Sequence, residues 1–248
     1  RGGVTNPAAA TGQSVSGHPM GRPIDPPTAT YRLQLSPDFG FESAAAAASY
    51  LAQLGISHVY LSPILQAVPG SAHGYDVVDP TSISADLGGE LGYGRLCAAL
   101  SDNRLGQILD IVPNHMAISG RDNSWWWDVL ENGAVSLFAS FFDVDWSSDP
   151  SPAANRISLP VLGDRYGRCL ERGELAVQRQ GGEFIISYFE HSYPVAPTSL
   201  PTILEPAAES LRLEGAISEA ECLDELATML HHLSTTPGLS VDCLLYPS

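Results

Sequence analysis

Between residues 28 and 113 the apolar positions recur first at every second residue, then at every third or fourth. The run "TATYRLQL" (28–35) is rich in β-branched and aromatic residues and predicts a strand. "FESAAAAASYLAQLG" (41–55) sets Ala47, Tyr50, Leu51 and Leu54 at helical spacing and ends on Gly55, where a left-handed C-terminal cap is wanted. "SHVYLSPI" (57–64) predicts a short strand halted by Pro63, followed by a loop carrying Pro69, Gly70, Gly74 and Pro80. Tyr93, Leu96, Cys97 and Leu100 form a second helical face, weakened by Gly92 and Gly94. "QILDIV" (107–112) closes the series, with Ile108, Leu109, Ile111 and Val112 suiting a strand covered on both faces. Strand, helix, strand, helix, strand with short links implies parallel strands, right-handed crossovers and an α/β fold.

Beyond residue 114 this rhythm breaks. Residues 121–170 are aromatic, acidic and loop-rich, and "GELAVQRQGGEFIISYFE" (173–190) predicts a hairpin turning at Gly181-Gly182. A helical tail follows, with Ser218 and Glu221 as a capping box ahead of Cys222, Leu226, Met229, Leu230 and Leu233. The ending "LSVDCLLYPS" completes no element, and residues 1–27, rich in Pro, Gly, Ser and Thr and opening on Arg1, read as a disordered leader.

Composition narrows the class of partner. Asp and Glu number 28 against 12 basic residues, a net charge of −16. Such a surface repels phosphate backbones and anionic membranes, so neither nucleic acid nor a membrane is expected as partner. A neutral substrate suits it, although solubility alone explains the charge equally well. No stretch approaches the roughly 18 apolar residues a bilayer span needs, and residues 1–27 lack the apolar core of a secretory signal. Cys97, Cys169, Cys222 and Cys243 show no CxxC spacing, which suggests neither a zinc site nor a disulfide framework and makes a reducing cytoplasm the default.

Two stretches carry candidate chemistry. Asp110, Asn114 and His115 lie at and just beyond the C-terminal end of the third parallel strand, the edge where ligands bind in such folds. A site and a merely structural role, Asp110 paired to an amide or Arg, stand as equal alternatives on spacing alone. "PGSAHGYDVVDP" (69–80) follows the second strand and so reaches the same edge with His73, Tyr75, Asp76 and Asp79. Sugars want such sets, an aromatic face for ring C–H surface and carboxylates for hydroxyls, but Asp and Tyr also order Gly/Pro turns. "NSWWWDVLENG" (123–133) reads as packing, with at most one or two rings at a cleft. Asp76 and Asp110, read as projecting from neighbouring strands, would suit a retaining glycosidase if about 5–5.5 Å apart.

Read in order, "TYRLQL", "YLAQLGISHVYLSPILQAVPGSAHGYDVVDP", "DLGGELG", "LGQILDIVPNHMA", "NSWWWDVLENG", "FFDVDW" and "LPVLGDRYG" run through residues 28–190. This set resembles the maltooligosyltrehalose synthases, the (1→4)-α-D-glucan 1-α-D-glucosylmutases of glycoside hydrolase family 13. "DIVPNH" is similar to the first shared region of the whole α-amylase superfamily, while "PGSAHGYDVVDP" with "LPVLGDRYG" points more narrowly to the synthases.

The resemblance implies an incomplete (β/α)8 TIM barrel, strands 1–3 with their helices, over residues 28–113. It implies an inserted B-type domain over 114–200 and a helical segment with a truncated C-terminus over 201–248. The implied reaction is retaining intramolecular transglycosylation, an isomerase-type transfer that remakes the reducing-end α-1,4 link of a maltooligosaccharide as α,α-1,1. By motif position Tyr75 would stack on the sugar at the cleaved bond. His73, Asp76 and His115 would complete the substrate-binding set, with Asp110 and Asn114 supporting. Asn114 occupies a position that binds calcium in many amylases, but no metal or cofactor is carried over. The family's nucleophilic Asp, in a G-x-R-x-D stretch after strand 4, and its acid Glu after strand 5 find no match here. The chain is therefore expected to be an N-terminal portion, inactive by itself, with open edges at strands 1 and 3. The alternatives are a fragment of an α-amylase-type hydrolase or glucosidase, and a non-catalytic glucan-binding protein.

Overall fold

The computed structural model describes residues 26–118, 120–146 and 157–232. The first half runs β1 (Thr30–Leu33), α1 (Phe41–Gln53), β2 (His58–Leu61), a hairpin of β3 (Leu65–Ala67) and β4 (Val77–Ile83), α2 (Gly89–Asp102), then β5 (Gly106–Leu109). β1, β2 and β5 form a parallel sheet in that order, with Arg32 opposite Tyr60 and Tyr60 opposite Ile108. The expected parallel α/β unit is there. All but the last two residues of the expected leader, together with Leu233, Cys243 and the ending "LSVDCLLYPS", lie outside the described residues.

Period-two alternation splits β1 and β2 between two surroundings. Leu33, Leu35, Val59 and Leu61 are buried in one apolar cluster with Phe41, Ala44, Ala48 and Leu51 of α1 and Leu96 and Leu100 of α2. Each fully buried large side chain of this kind contributes about 1.5–3 kcal/mol. Arg32 and Tyr60, of the opposite parity, stand on the other face.

Three expectations need correction here. The buried face of α1 is Phe41, Ala44, Ala48 and Leu51, whereas Tyr50 is 65% exposed and Leu54 is exposed as well. α1 and α2 approach closely: Gly92 leaves only 3.3 Å between a would-be Cβ and the Phe41 ring. Gly92 thus permits packing that a larger residue would block. Gly55 (φ +89°) does cap α1, its amide donating to Ala52 O while Ile56 N–H donates to Leu51 O. Next, the segment expected as one loop through Pro80 is a hairpin: residues 68–76 form its turn, as expected, but Pro80 lies inside β4, paired antiparallel to β3 with register shifts. Finally, the third parallel strand stops at Leu109 and is not covered on both faces. Leu109 is exposed and Ile111 is 66% exposed, because β5 lies at the sheet edge while the apolar cluster sits over β1 and β2.

The second half begins with α3 (Ser124–Asn132), capped by the buried Asn123, whose Oδ1 accepts from Trp126 N–H and whose Nδ2 donates to Ala117 O. Trp126 and Trp127 are buried, so two of the three rings are packing. Trp125 stacks on Phe138, with Phe141, 62% exposed, tilted against it. After α4 (Tyr166–Glu171), β6 (Leu175–Gln180), β7 (Glu183–Tyr188) and β8 (His191–Pro194) form an antiparallel sheet around the expected Gly181-Gly182 turn.

α5 (Pro201–Leu213) and α6 (Ile217–His231) pack side by side. The capping box at Ser218 does not form. α5 closes on Gly215 (φ +82°), Ala216 N–H donates to Leu211 O, and α6 starts from Ala216, which leaves Ser218 inside the helix. Its buried residues are Ala220 and Ala227, not the Cys222, Leu226 and Met229 face, and α5, packed beside it, buries Pro201, Leu204 and Ala208. No helix among the described residues is long and apolar enough to cross a membrane.

Candidate functional site

At the C-terminal edge of the parallel sheet four elements deliver polar side chains to one point. Asp110, the first residue past β5, hangs its amide on Leu61 O at 3.0 Å. Its Oδ2 accepts from Tyr75 Oη at 2.5 Å, Tyr60 Oη at 3.2 Å and Arg32 Nη1 at 3.2 Å. Arg32 also donates from Nη2 to Tyr75 Oη at 2.9 Å and to Gln34 Oε1 at 3.2 Å, and its guanidinium lies 4.8 Å from the Tyr60 ring centroid. These bonds fix the charges. The Tyr75 hydroxyl bond, aided by Arg32 and Tyr60 against the opposing effect of burial, holds the Asp110 carboxyl below the usual carboxylate value. The same bond to the carboxylate pushes the Tyr75 phenol up.

Tyr75 reaches this point from the tip of the β3–β4 hairpin. Gly74 permits the approach: its φ is +76°, and a Cβ there would sit 3.0 Å from Pro63 O at the end of β2. Gln34 Nε2 donates to His73 O at 3.3 Å, and Ala117 N–H donates to Val77 O at 2.8 Å. These two bonds fasten the tip to β1 and to the segment after β5. Asp76, just before β4, belongs to the hairpin and not to a neighbouring strand of the parallel sheet. It accepts from Ser71 Oγ at 2.5 Å and lies 3.6 Å from His73 Nδ1, which itself accepts from Tyr75 N–H at 3.0 Å. Asp79 is occupied by Thr81 and Ser82, which lower its pKa against burial, and so orders the start of β4.

The structure therefore joins Tyr75 to Asp110, and Asp76 to His73. It leaves Asn114 and His115 as an exposed pair, His115 Nδ1 meeting Asn114 Oδ1 at 2.9 Å. Sequence reasoning missed Arg32, Gln34 and Tyr60. Alternation would have found them: with Leu33 and Leu35 inward, Arg32 and Gln34 share the opposite face.

Residues 46–167 match the catalytic domain of α-amylases. This segment resembles the α-amylase family. A Mycobacterium tuberculosis protein bearing the name maltooligosyl trehalose synthase is 44% identical over 180 residues, 70% of this chain and 22% of the relative. The solved maltooligosyltrehalose synthase of Arthrobacter ramosus is 41% identical over 68% of this chain and 21% of its own, with a TM-score of 0.60. The intracellular maltogenic amylase of Bacillus subtilis is 32% identical over 119 residues. The chain thus spans about a fifth of the length of the synthases it matches. Asp110 lies at the carboxyl edge of the parallel sheet, and the β3–β4 hairpin brings Tyr75 to it.

Proposed function

We propose that this chain carries strands 1–3 of an α-amylase-type barrel and the sugar-holding rim of a maltooligosyltrehalose synthase. The substrate is a maltooligosaccharide, and the reaction is retaining transfer of its reducing-end α-1,4 link to α,α-1,1. Residues 114–200 are the inserted B-type domain, and α5 and α6 form the helical segment after it. The observation that carries the reading is the Tyr75–Asp110–Arg32 cluster, set at the carboxyl edge of a parallel sheet in a chain 44% identical to a synthase over 180 residues.

Within this reading the residues hold the sugar. Tyr75 offers a ring face, and Asp76, His73 and His115 offer groups for hydroxyls. Cleaving a glycosidic bond needs a carboxyl with a raised pKa as acid. Asp110 is depressed and accepts three hydrogen bonds, so it braces the site and is not that acid. We assign binding without turnover to the isolated chain.

The test is incubation of the full chain with maltopentaose, assaying reducing ends and non-reducing product alongside calorimetric titration. Binding that is lost in Asp76→Ala and Tyr75→Ala, with no change in reducing ends, is the expected result. Formation of non-reducing product would refute the assignment of inactivity. Reducing ends released would favour the second reading, an α-amylase-type hydrolase, which the similarity to the maltogenic amylase supports.

A further inference from the structure

The geometry points to Arg32 as a positioning residue: it fixes the ring of Tyr75 and ties up its hydroxyl, so that a glucan ring meets Tyr75 by stacking and not through the phenol. For the ligand class this inference rests on the glucan reading above. A tyrosine's second side-chain torsion is broad, so packing against its ring or tethering of its hydroxyl decides where the ring plane lies. Here the tether is double. Tyr75 Oη gives its one proton to Asp110 Oδ2 at 2.5 Å and receives Arg32 Nη2 at 2.9 Å. A phenol has one donor and two acceptor positions, so a single lone pair and the ring face remain.

Arg32 is itself held at more than one point, which makes it a clamp and not a loose cation. Nη1 engages Asp110, Nη2 engages Gln34, and the planar group lies over Tyr60. Three other ties of the hairpin tip act on its backbone or on neighbouring side chains, Gln34 to His73 O, Ser71 to Asp76 and Gly74 against Pro63, and the His73 ring lies beside that of Tyr75 with centroids 6.1 Å apart and no hydrogen bond to its hydroxyl. Those ties place the Tyr75 Cα; the Arg32–Asp110 pair sets the ring. A lysine brings one ammonium on a flexible stem and cannot span Asp110, Gln34 and Tyr75 together in a planar fork.

The experiment compares the full chain as wild type, Arg32→Met and Arg32→Lys, each with 13C-labelled tyrosine rings. Tyr75→Phe assigns the Tyr75 resonances, and Tyr188 and Tyr193 in the separate β6–β8 sheet report whether the fold persists. Both variants are expected to shift the Tyr75 ring resonances, leave those of Tyr188 and Tyr193 in place, and weaken maltopentaose binding roughly 3- to 10-fold. Lysine recovers only part of the loss. Unmoved Tyr75 resonances in a folded Arg32→Met protein would overturn the inference, as would wild-type affinity in both variants. If the wild type itself does not bind maltopentaose, the glucan reading falls while the ring spectrum still decides the role of Arg32. If Arg32→Met unfolds, Arg32→Lys decides by the same two criteria.

Discussion

Asp110→Asn isolates the charge at the centre of the candidate site with almost no change of shape. The amide can still turn an oxygen toward the position of Oδ2 and accept from Tyr75, Tyr60 and Arg32. What it loses is the charge assistance, which roughly doubles a hydrogen bond's strength. A neutral hydrogen bond contributes about 1 kcal/mol net and one to a charged group about 1.5–3. The wild-type bonds are three, but those at 3.2 Å are long, and the Arg32 side chain, 36% exposed against 17% for Asp110, is partly screened by water. The expected loss is therefore about 1–2 kcal/mol near neutral pH.

The pH dependence gives the sharper test. Asp110 is held below its ordinary pKa in the folded chain, so the unfolded chain binds the extra proton first on acidification. Its stabilising contribution is complete above about pH 4, the unfolded carboxyl value, and is lost as pH falls through the lower folded value. Urea unfolding of wild type and variant followed by circular dichroism at about pH 7, 5 and 3 should show a gap that holds at the first two and shrinks at the third. Other carboxylates titrate equally in both proteins and cancel in the difference. A gap unchanged at the lowest pH, or absent at neutral pH, would refute the argument that the charge of Asp110 is what its three donors stabilise.

Gly106→Ala should cost about 1–3 kcal/mol in urea unfolding, because its Cβ would fall 2.3 Å from ring atoms of the buried His58 opposite it. Adding His58→Ala should abolish that increment, and strictly additive costs would contradict the clash. Gly74→Ala, at positive φ and 3.0 Å from Pro63 O, should cost about 1–2 kcal/mol and weaken maltopentaose binding by displacing Tyr75; unchanged calorimetric affinity would separate the turn from the site. Asn123→Ala removes both the cap of α3 and the bond to Ala117 O, and thermal unfolding should register a loss of about 1–2 kcal/mol.

The sequence by itself determined the order of elements and the edge at which chemistry collects. Apolar periodicity located α1, α2 and the three parallel strands, and Gly55 marked a helix end, because these are local backbone preferences repeated along the chain. The motif around Tyr75 and the one around Asp110 were legible as candidates, since both follow parallel strands. Only tertiary structure decided what each side chain does there. It gave Asp110 three donors, tied Asp76 to Ser71 across five residues of a turn, and left His115 bonded to Asn114. Alternation puts Arg32 on the site face of β1, but Tyr75 and Asp110 lie 43 and 78 positions away, a separation over which periodicity names no partner.

Helix faces failed for a related reason. Helical spacing of apolar residues put Tyr50 and Met229 inward, yet Ala48 and Ala227 are buried in their place. Cover on β5 failed because apolar character records what a strand tolerates, while exposure depends on which neighbours pack against it. Local sequence set the backbone and its punctuation; long-range packing chose which of the exposed polar groups became a site.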